Sequence, residues 1–164
     1  MGSYASSDDD AGADSGSRNE HAACLYSELV IRWVLDVETW ELTLAQWDFL
    51  IASLPAEDGV RVNRYLREPD RRLALGSRLL QRALVARVFD IPFGAVEIAR
   101  TREGKPYATG QRAKLARAAD AGLLEHWNFN VSHHGRYAVI VAEPLCVCGV
   151  DLVRVTERRE NLLR

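Results

Sequence analysis

The sequence has no uninterrupted apolar run near the roughly 20 residues that cross a bilayer, so it offers no candidate membrane-spanning helix. Residues 1–20 also lack the apolar segment of a signal peptide, and the expectation is a cytosolic protein without a membrane partner. A large excess of charge is missing too. With a formal net charge of -2, bulk electrostatics gives no argument for nucleic acid, and any charged partner has to be inferred locally. Cysteine is scarce: Cys24, Cys146 and Cys148 cannot all pair with one another, and Cys-x-Cys is not the spacing of a zinc knuckle or a redox site. The three read as buried thiols in a reducing compartment. There is no Gly-rich phosphate loop of Walker type, no internal repeat and no Ser-His-Asp order of the hydrolase kind.

What is present is a globular composition, 48% hydrophobic and 27% charged over 164 residues, enough for one core of ordinary size. Residues 1–21, rich in Ser, Gly, Ala and Asp around Asp8-Asp9-Asp10, are expected to form a disordered acidic tail ahead of a single domain over residues 22–164. Alternation of Leu29, Ile31, Trp33, Leu35 and Val37 predicts a strand. A helix should follow, capped by Thr43 with Gln46 and burying Leu44, Trp47, Ile51 and Leu54 before Pro55. Two more are expected, over about Ala56 to Leu66 and about Asp70 to Phe89. Between Arg61 and Arg87 eight arginines face only Glu68 and Asp70, either as a solvated face or with one or two guanidinium groups reaching a phosphate.

Val96 to Arg100 alternates again and leads into Arg100-Thr101-Arg102-Glu103-Gly104-Lys105-Pro106. Gly104 supplies turn geometry and cations surround exposed backbone, a candidate anion-binding loop. Residues 111–125 are Ala- and Leu-rich and suit a helix. From Asn128 to Val153, three alternating runs, Phe129/Val131, Tyr137/Val139/Val141 and Cys148/Val150/Leu152, predict an antiparallel meander. In that reading Asn130 and Ser132 share a strand face and Asp151 stands inside an apolar strand. Such an aspartate pairs with arginine or backbone donors, or it ligates a hard cation such as Mg2+. His133, at a strand end, is a turn residue or a phosphate neighbour.

Four segments, in this order and spacing, resemble one family: Gly76-Ser77-Arg78-Leu79-Leu80, Arg100-Thr101 with Gly104-Lys105-Pro106, Phe129-Asn130-Val131-Ser132-His133 followed by Gly135, Tyr137, Ala138 and Val139, and Gly149-Val150-Asp151. The resemblance, covering roughly Trp33 to Arg154, is to the 4′-phosphopantetheinyl transferases, of the two-lobed type of the surfactin-synthetase activator and the aminoadipate-semialdehyde dehydrogenase transferase. It implies an α+β fold, an antiparallel sheet packed on helices, as the first lobe of a pseudo-two-fold molecule. It also implies a holo-[acyl-carrier-protein] synthase that moves the phosphopantetheine arm of coenzyme A to a serine of a carrier protein, in aminoadipate-linked lysine biosynthesis or in fatty acid or polyketide synthesis. A non-catalytic coenzyme A or nucleotide binder is the alternative. Nucleic acid is disfavoured, because no aromatic residues interleave with the arginines.

Carried over by motif, the resemblance implies coenzyme A contacts at Arg61, Arg100, Thr101, Arg102, Glu103, Gly104 and Lys105. It implies a nucleotide and phosphate pocket at Asn130, Val131, Ser132 and His133, and Mg2+ at Asp151. Two features depart from the pattern. Val153 stands where bacterial members commonly have a second carboxylate, and a Trp-x-x-Lys-Glu region, which holds the family's remaining metal ligand and its general base, does not occur. The resemblance therefore implies no general base in this sequence, and a lone first lobe with an apolar face exposed.

Overall fold

The computed structural model describes residues 26–110 and 121–155; the tail expected at 1–21, Cys24 and most of the helix expected over 111–125 lie outside them. Strand β1 (Ile31–Asp36) has the alternation read from its residues, with Ile31 buried and Trp33 and Leu35 half-buried on one face while Val34 is 70% exposed on the other. Helix α1 (Leu44–Ala52) starts at the expected capping box: Thr43 Oγ1 accepts from the Gln46 N–H at 3.3 Å, and Gln46 Oε1 accepts from the Thr43 N–H at 2.9 Å. Helix α2 (Ala56–Asn63) follows Pro55. Helix α3 (Glu68–Val88) is the longest element and carries Pro69 in its first turn, where no N–H is missed. It ends in a Schellman motif, Ile91 N–H to Ala86 O at 3.1 Å and Asp90 N–H to Arg87 O at 3.4 Å, with Asp90 at φ 46°.

A 3-10 turn (Phe93–Ala95) leads to β2 (Glu97–Arg100), which pairs antiparallel with β3 (Pro106–Thr109). The strand at β3 was not expected, since Pro106 reads as a terminator. It is the first residue of the strand, where its missing N–H costs the ladder nothing. A short helix α4 (Ala121–Glu125) precedes β4 (Asn128–His134) and β5 (Tyr137–Glu143), a hairpin turning at Gly135. The three-stranded sheet has the order β1-β5-β4, antiparallel throughout, so β1 and β4 are its edges. The fold is α+β, as expected. Among the described residues no helix is long and apolar enough to cross a membrane.

One sheet face packs on α3. Phe129 of β4 and Ile140 of β5 meet Leu84 and Val85 of the helix, and Trp127 closes the end with a T-shaped contact to Phe89 at 5.2 Å. A second cluster joins the three helices through Leu54, Val62, Ala74 and Leu75. Leu44 is not part of it. Expected in the core, it is 77% exposed, because it opens α1 and its side chain projects beyond the helix end. Gly76 sets the distance between helix and sheet: a Cβ there would lie 2.8 Å from Val37 Cγ1 and 3.0 Å from Leu35 Cδ2, so any side chain would push α3 away from β1.

Two further expectations are corrected. Residues 146–155 form no strand, and Asp151 is exposed rather than inside a strand core. The alternation at Cys148, Val150 and Leu152 is real, but their N–H groups go to side chains of β4 instead of to a backbone ladder. Cys146 is exposed and Cys148 only half-buried, because the segment lies on the sheet surface instead of within it.

Phe129 is 1% exposed and Val34 lies on the open face of the same sheet. Phe129→Ala is expected to lower stability by about 3–5 kcal/mol and Val34→Ala by at most about 0.5 kcal/mol, read from urea denaturation. Equal losses would mean that the open face is covered.

Candidate functional site

Arg78 and Arg82 sit four residues apart on α3 and therefore point the same way. Opposite them, Arg61 lies in the last turn of α2 and Arg100 ends β2, so two helices and a hairpin bring four guanidinium groups to one cavity of about 240 Å³. Gln81, Glu57 and Asp58 complete its wall. Asp58 accepts from Arg78 Nε at 3.1 Å, with both side chains largely shielded, while Arg61 reaches Glu57 at 3.4 Å. Arg82 is 4% exposed. One nitrogen donates to the Phe93 carbonyl at 3.1 Å, its guanidinium lies 5.3 Å from the Phe93 ring centre, and its Nε has no partner among the described residues. A buried donor without an acceptor is costly, and here it belongs to a residue that lines the cavity.

The electrostatics point the same way. Burial lowers the Arg82 pKa from its ordinary value, with the Asp58 charge opposing. Arg100 is lowered by burial, then by the neighbouring Arg78 charge, with Asp58 opposing and Arg61 adding to the depression. Arginine stays protonated throughout, so the shifts record chiefly the burial of both guanidinium groups, and at Arg100 also repulsion from Arg78 and Arg61. A phosphate dianion relieves that repulsion.

The loop after Arg100 is the tight turn of the β2–β3 hairpin. Thr101 holds it twice, its N–H donating to the Lys105 carbonyl at 2.9 Å and its Oγ1 accepting from the Lys105 N–H at 3.2 Å, and Gly104 takes φ 90°. Arg100 also donates to the Gly104 carbonyl at 3.0 Å, leaving Arg102 and Glu103 exposed at the tip. Lys105 turns away from the tip and donates to the Cys148 carbonyl at 3.3 Å, which fastens the hairpin to residues 146–152.

That segment lies on the face of β4 turned away from the core. The N–H groups of Cys148, Val150 and Leu152 donate to Asn128 Oδ1 at 3.0 Å, Asn130 Oδ1 at 3.1 Å and Ser132 Oγ at 3.1 Å. The constant offset makes the segment run parallel to β4. Ser132 Oγ donates onward to Asp151 Oδ1 at 3.1 Å, and the Leu152 N–H also reaches that oxygen at 2.9 Å. Oδ2 of Asp151 accepts no hydrogen bond among the described residues, and the residue is exposed. One exposed carboxylate oxygen suits Mg2+, which takes one or two carboxylates and completes its shell with phosphate oxygens and water. Among the described residues no cluster of three His, Cys, Asp or Glu could hold a metal by itself. Burial pushes the Cys148 thiol up, with the Lys105 charge opposing, so it is a weak nucleophile.

The residues singled out from sequence therefore fall in two linked groups, Arg61 with Arg100 at the arginine cavity, and Lys105 with Asn130, Ser132 and Asp151 along β4. Two residues separate Cys148 from Asp151, which keeps their Cα atoms within about 11 Å. Val131 and His133 are not brought to the same side: the pleat turns them to the opposite face, where Val131 packs against the core and His133, paired with Ala138, is exposed at the sheet's end. Sequence reasoning gave no role to Asp58, Gln81 or Asn128, and did not choose Arg78 and Arg82 from the eight arginines. Their i, i+4 spacing was the available signal.

Comparison with known proteins gives the family. Residues 38–145 match the family model described as 4′-phosphopantetheinyl transferase, N-terminal, a span that includes Arg61, the hairpin loop and Asn130 to His133 but stops short of Asp151. The chain is 32% identical over 126 residues to the L-aminoadipate-semialdehyde dehydrogenase-phosphopantetheinyl transferase of Homo sapiens, covering 77% of this chain and 38% of that protein. It is 34% identical over 125 residues to a phosphopantetheinyl transferase of Thraustochytrium sp., covering 72% and 40%. With 4′-phosphopantetheinyl transferase 1 of Fusarium mangiferae it shares 32% over 147 residues, 82% and 47%. The chain thus spans less than half the length of these relatives. By the matched region, which covers most of the described helices and strands, the chain belongs to the 4′-phosphopantetheinyl transferase family.

Proposed function

We propose that this chain forms the coenzyme A-binding part of a transferase that moves the 4′-phosphopantetheine arm of coenzyme A to a serine of an acyl, peptidyl or aminoacyl carrier protein. The observation that carries the reading is the cavity with four arginines, joined through Lys105 to the segment bearing Asp151. Coenzyme A has two phosphate centres, a 3′-phosphate on the ribose and a pyrophosphate. The first suits Arg61, Arg100, Arg78 and Arg82, four guanidinium groups on one cavity wall; the second suits Lys105, Ser132 and Asp151 along the open face of β4.

In the reaction the serine oxygen bonds to the phosphorus that carries pantetheine, the bond from that phosphorus to the bridging oxygen breaks, and adenosine 3′,5′-bisphosphate leaves. Mg2+, when bound, supplies Lewis-acid stabilisation of the pyrophosphate. Asp151 Oδ2, with Oδ1 held by Ser132 and the Leu152 N–H, is the oxygen available to hold that ion. The arginine wall orients the nucleotide, and Lys105 neutralises charge as the bridging oxygen departs. Given the relatives, a carrier domain of the aminoadipate-semialdehyde dehydrogenase kind is the first substrate to try, and the cytosol the expected location. The general base belongs, by the family resemblance, to the Trp-x-x-Lys-Glu region.

Coenzyme A should raise the thermal midpoint of the protein by mass action. Arg61→Ala and Arg100→Ala should each weaken coenzyme A roughly 10- to 100-fold, the worth of a charge-assisted hydrogen bond, and weaken the dephospho analogue much less. Equal losses, measured calorimetrically, would move these side chains to the pyrophosphate. Asp151→Asn should abolish the tightening of coenzyme A by Mg2+ while leaving the urea midpoint unchanged; an unchanged Mg2+ response would make Asp151 a structural carboxylate. Finally, the 164-residue chain incubated with an apo carrier protein, coenzyme A and Mg2+ should leave the carrier unmodified by intact mass. Steady phosphopantetheine addition would place the base within these residues.

A further inference from the structure

We propose that Asn128 is a positioning residue: its side chain sets the register of residues 146–152 on β4 and thereby holds Asp151 where it can meet a bound pyrophosphate and its cation. The inference rests on the reading above for the role of Asp151, but not for the register itself.

Asn128 makes more hydrogen bonds than any other side chain around the segment. Its Oδ1 accepts from the Cys148 N–H at 3.0 Å and from the Cys148 thiol at 3.3 Å. Its Nδ2 faces the carbonyls of Cys146 at 2.7 Å, His126 at 3.2 Å and Glu143 at 3.3 Å. An amide has two donors and two lone pairs, so this group is saturated. It ties three stretches of chain at one point: the approach to β4, the end of β5, and the segment that returns over the sheet. Asn130 and Ser132 then each take one further N–H from that segment, at the same offset along the chain.

Little else holds the segment. Val147 is 84% exposed and Cys148, Val150 and Leu152 are only half-buried, so hydrophobic burial alone does not fix its placement. Gly149 has nothing within 4 Å of where a Cβ would stand, and no regular ladder stiffens the backbone. The polar rungs are therefore what specify register. A slip of one residue would turn the N–H groups away from β4, and a slip of two would carry Asp151 off Ser132 and away from its distance to Lys105. Asn128 fixes the first rung, next to the point where Lys105 grips the Cys148 carbonyl, and every later rung follows from it.

The test uses the full chain and two readouts. In Asn128→Ala, amide hydrogen exchange at Cys148, Val150 and Leu152 should accelerate at least tenfold, while the paired amides of β4 and β5 keep their protection. The factor by which Mg2+ tightens coenzyme A should fall to near one, with Mg2+-free coenzyme A affinity changed less than twofold, since the arginine cavity is untouched. If the alanine variant loses protection across β4 and β5, Asn128→Asp, which keeps an acceptor for the Cys148 N–H in the same volume, takes its place: with β4 and β5 protected, Val150 and Leu152 should exchange within about threefold of their wild-type rates, and a tenfold acceleration there overturns Oδ1 as the register-setting atom. Unchanged exchange at Val150 and Leu152 in Asn128→Ala overturns the register role. Accelerated exchange with a full Mg2+ response overturns the link to Asp151. A wild-type chain whose three amides are protected but whose coenzyme A binding ignores Mg2+ overturns the functional reading of Asp151 and leaves the register in place.

Discussion

The pleat of β4 is the constraint on which the remaining structure depends. Alternate residues of one strand go to opposite sides, so Phe129 and Val131 commit one face to the core against α3 while Asn128, Asn130 and Ser132 present acceptors on the other. Burial of Phe129 orients the strand, and that orientation aims the polar rungs. A core residue and a binding surface are thus two readings of the same backbone, with a rigid element supporting the groups that need accurate placement.

The two charged regions are built on different principles. At the arginine cavity, cations are concentrated by helices and a hairpin that pack for apolar reasons, through Leu54, Val62, Ala74 and Leu75, and Asp58 tempers their repulsion. Its partly shielded charges sit where the effective dielectric is low, so an anion there is felt strongly. Along β4, by contrast, the charged groups are few, and their worth comes from geometry. Asp151 is useful because one of its oxygens is already occupied and the other is not.

Much of this was legible beforehand because it is local. The capping box of Thr43 and Gln46, the alternation of β1 and the length of α3 follow from neighbours a few residues away, and they appear as expected. What failed was non-local. The pattern at Cys148, Val150 and Leu152 announces N–H groups aimed one way, but not whether backbone or side chains receive them; that depends on Asn128, Asn130 and Ser132 twenty positions earlier. Leu44 looked buried because helical periodicity ignores where a helix ends. The choice of Arg78 and Arg82 from eight arginines required knowing that α2 and β2 lie across from them. The motifs of the family supplied Arg61, which no periodicity distinguishes, whereas Asp151 stood out as a carboxylate in an apolar alternation.

The strand order β1-β5-β4 also sets a timetable for synthesis. Ile31 pairs with Ala142, about 110 positions later, so β1 leaves the ribosome long before β5, its partner among the described residues, exists. At about 5–20 residues per second it waits some 5–20 seconds. In that interval α1, α2 and α3 can close around Leu54, Val62 and Leu75, whose contacts need no later residue. The residues of the arginine cavity are all made by Arg100, whereas the three-stranded sheet, and with it the polar face of β4, is completed only when β5 joins β1 to β4, a closure that carries the entropic cost of a long loop.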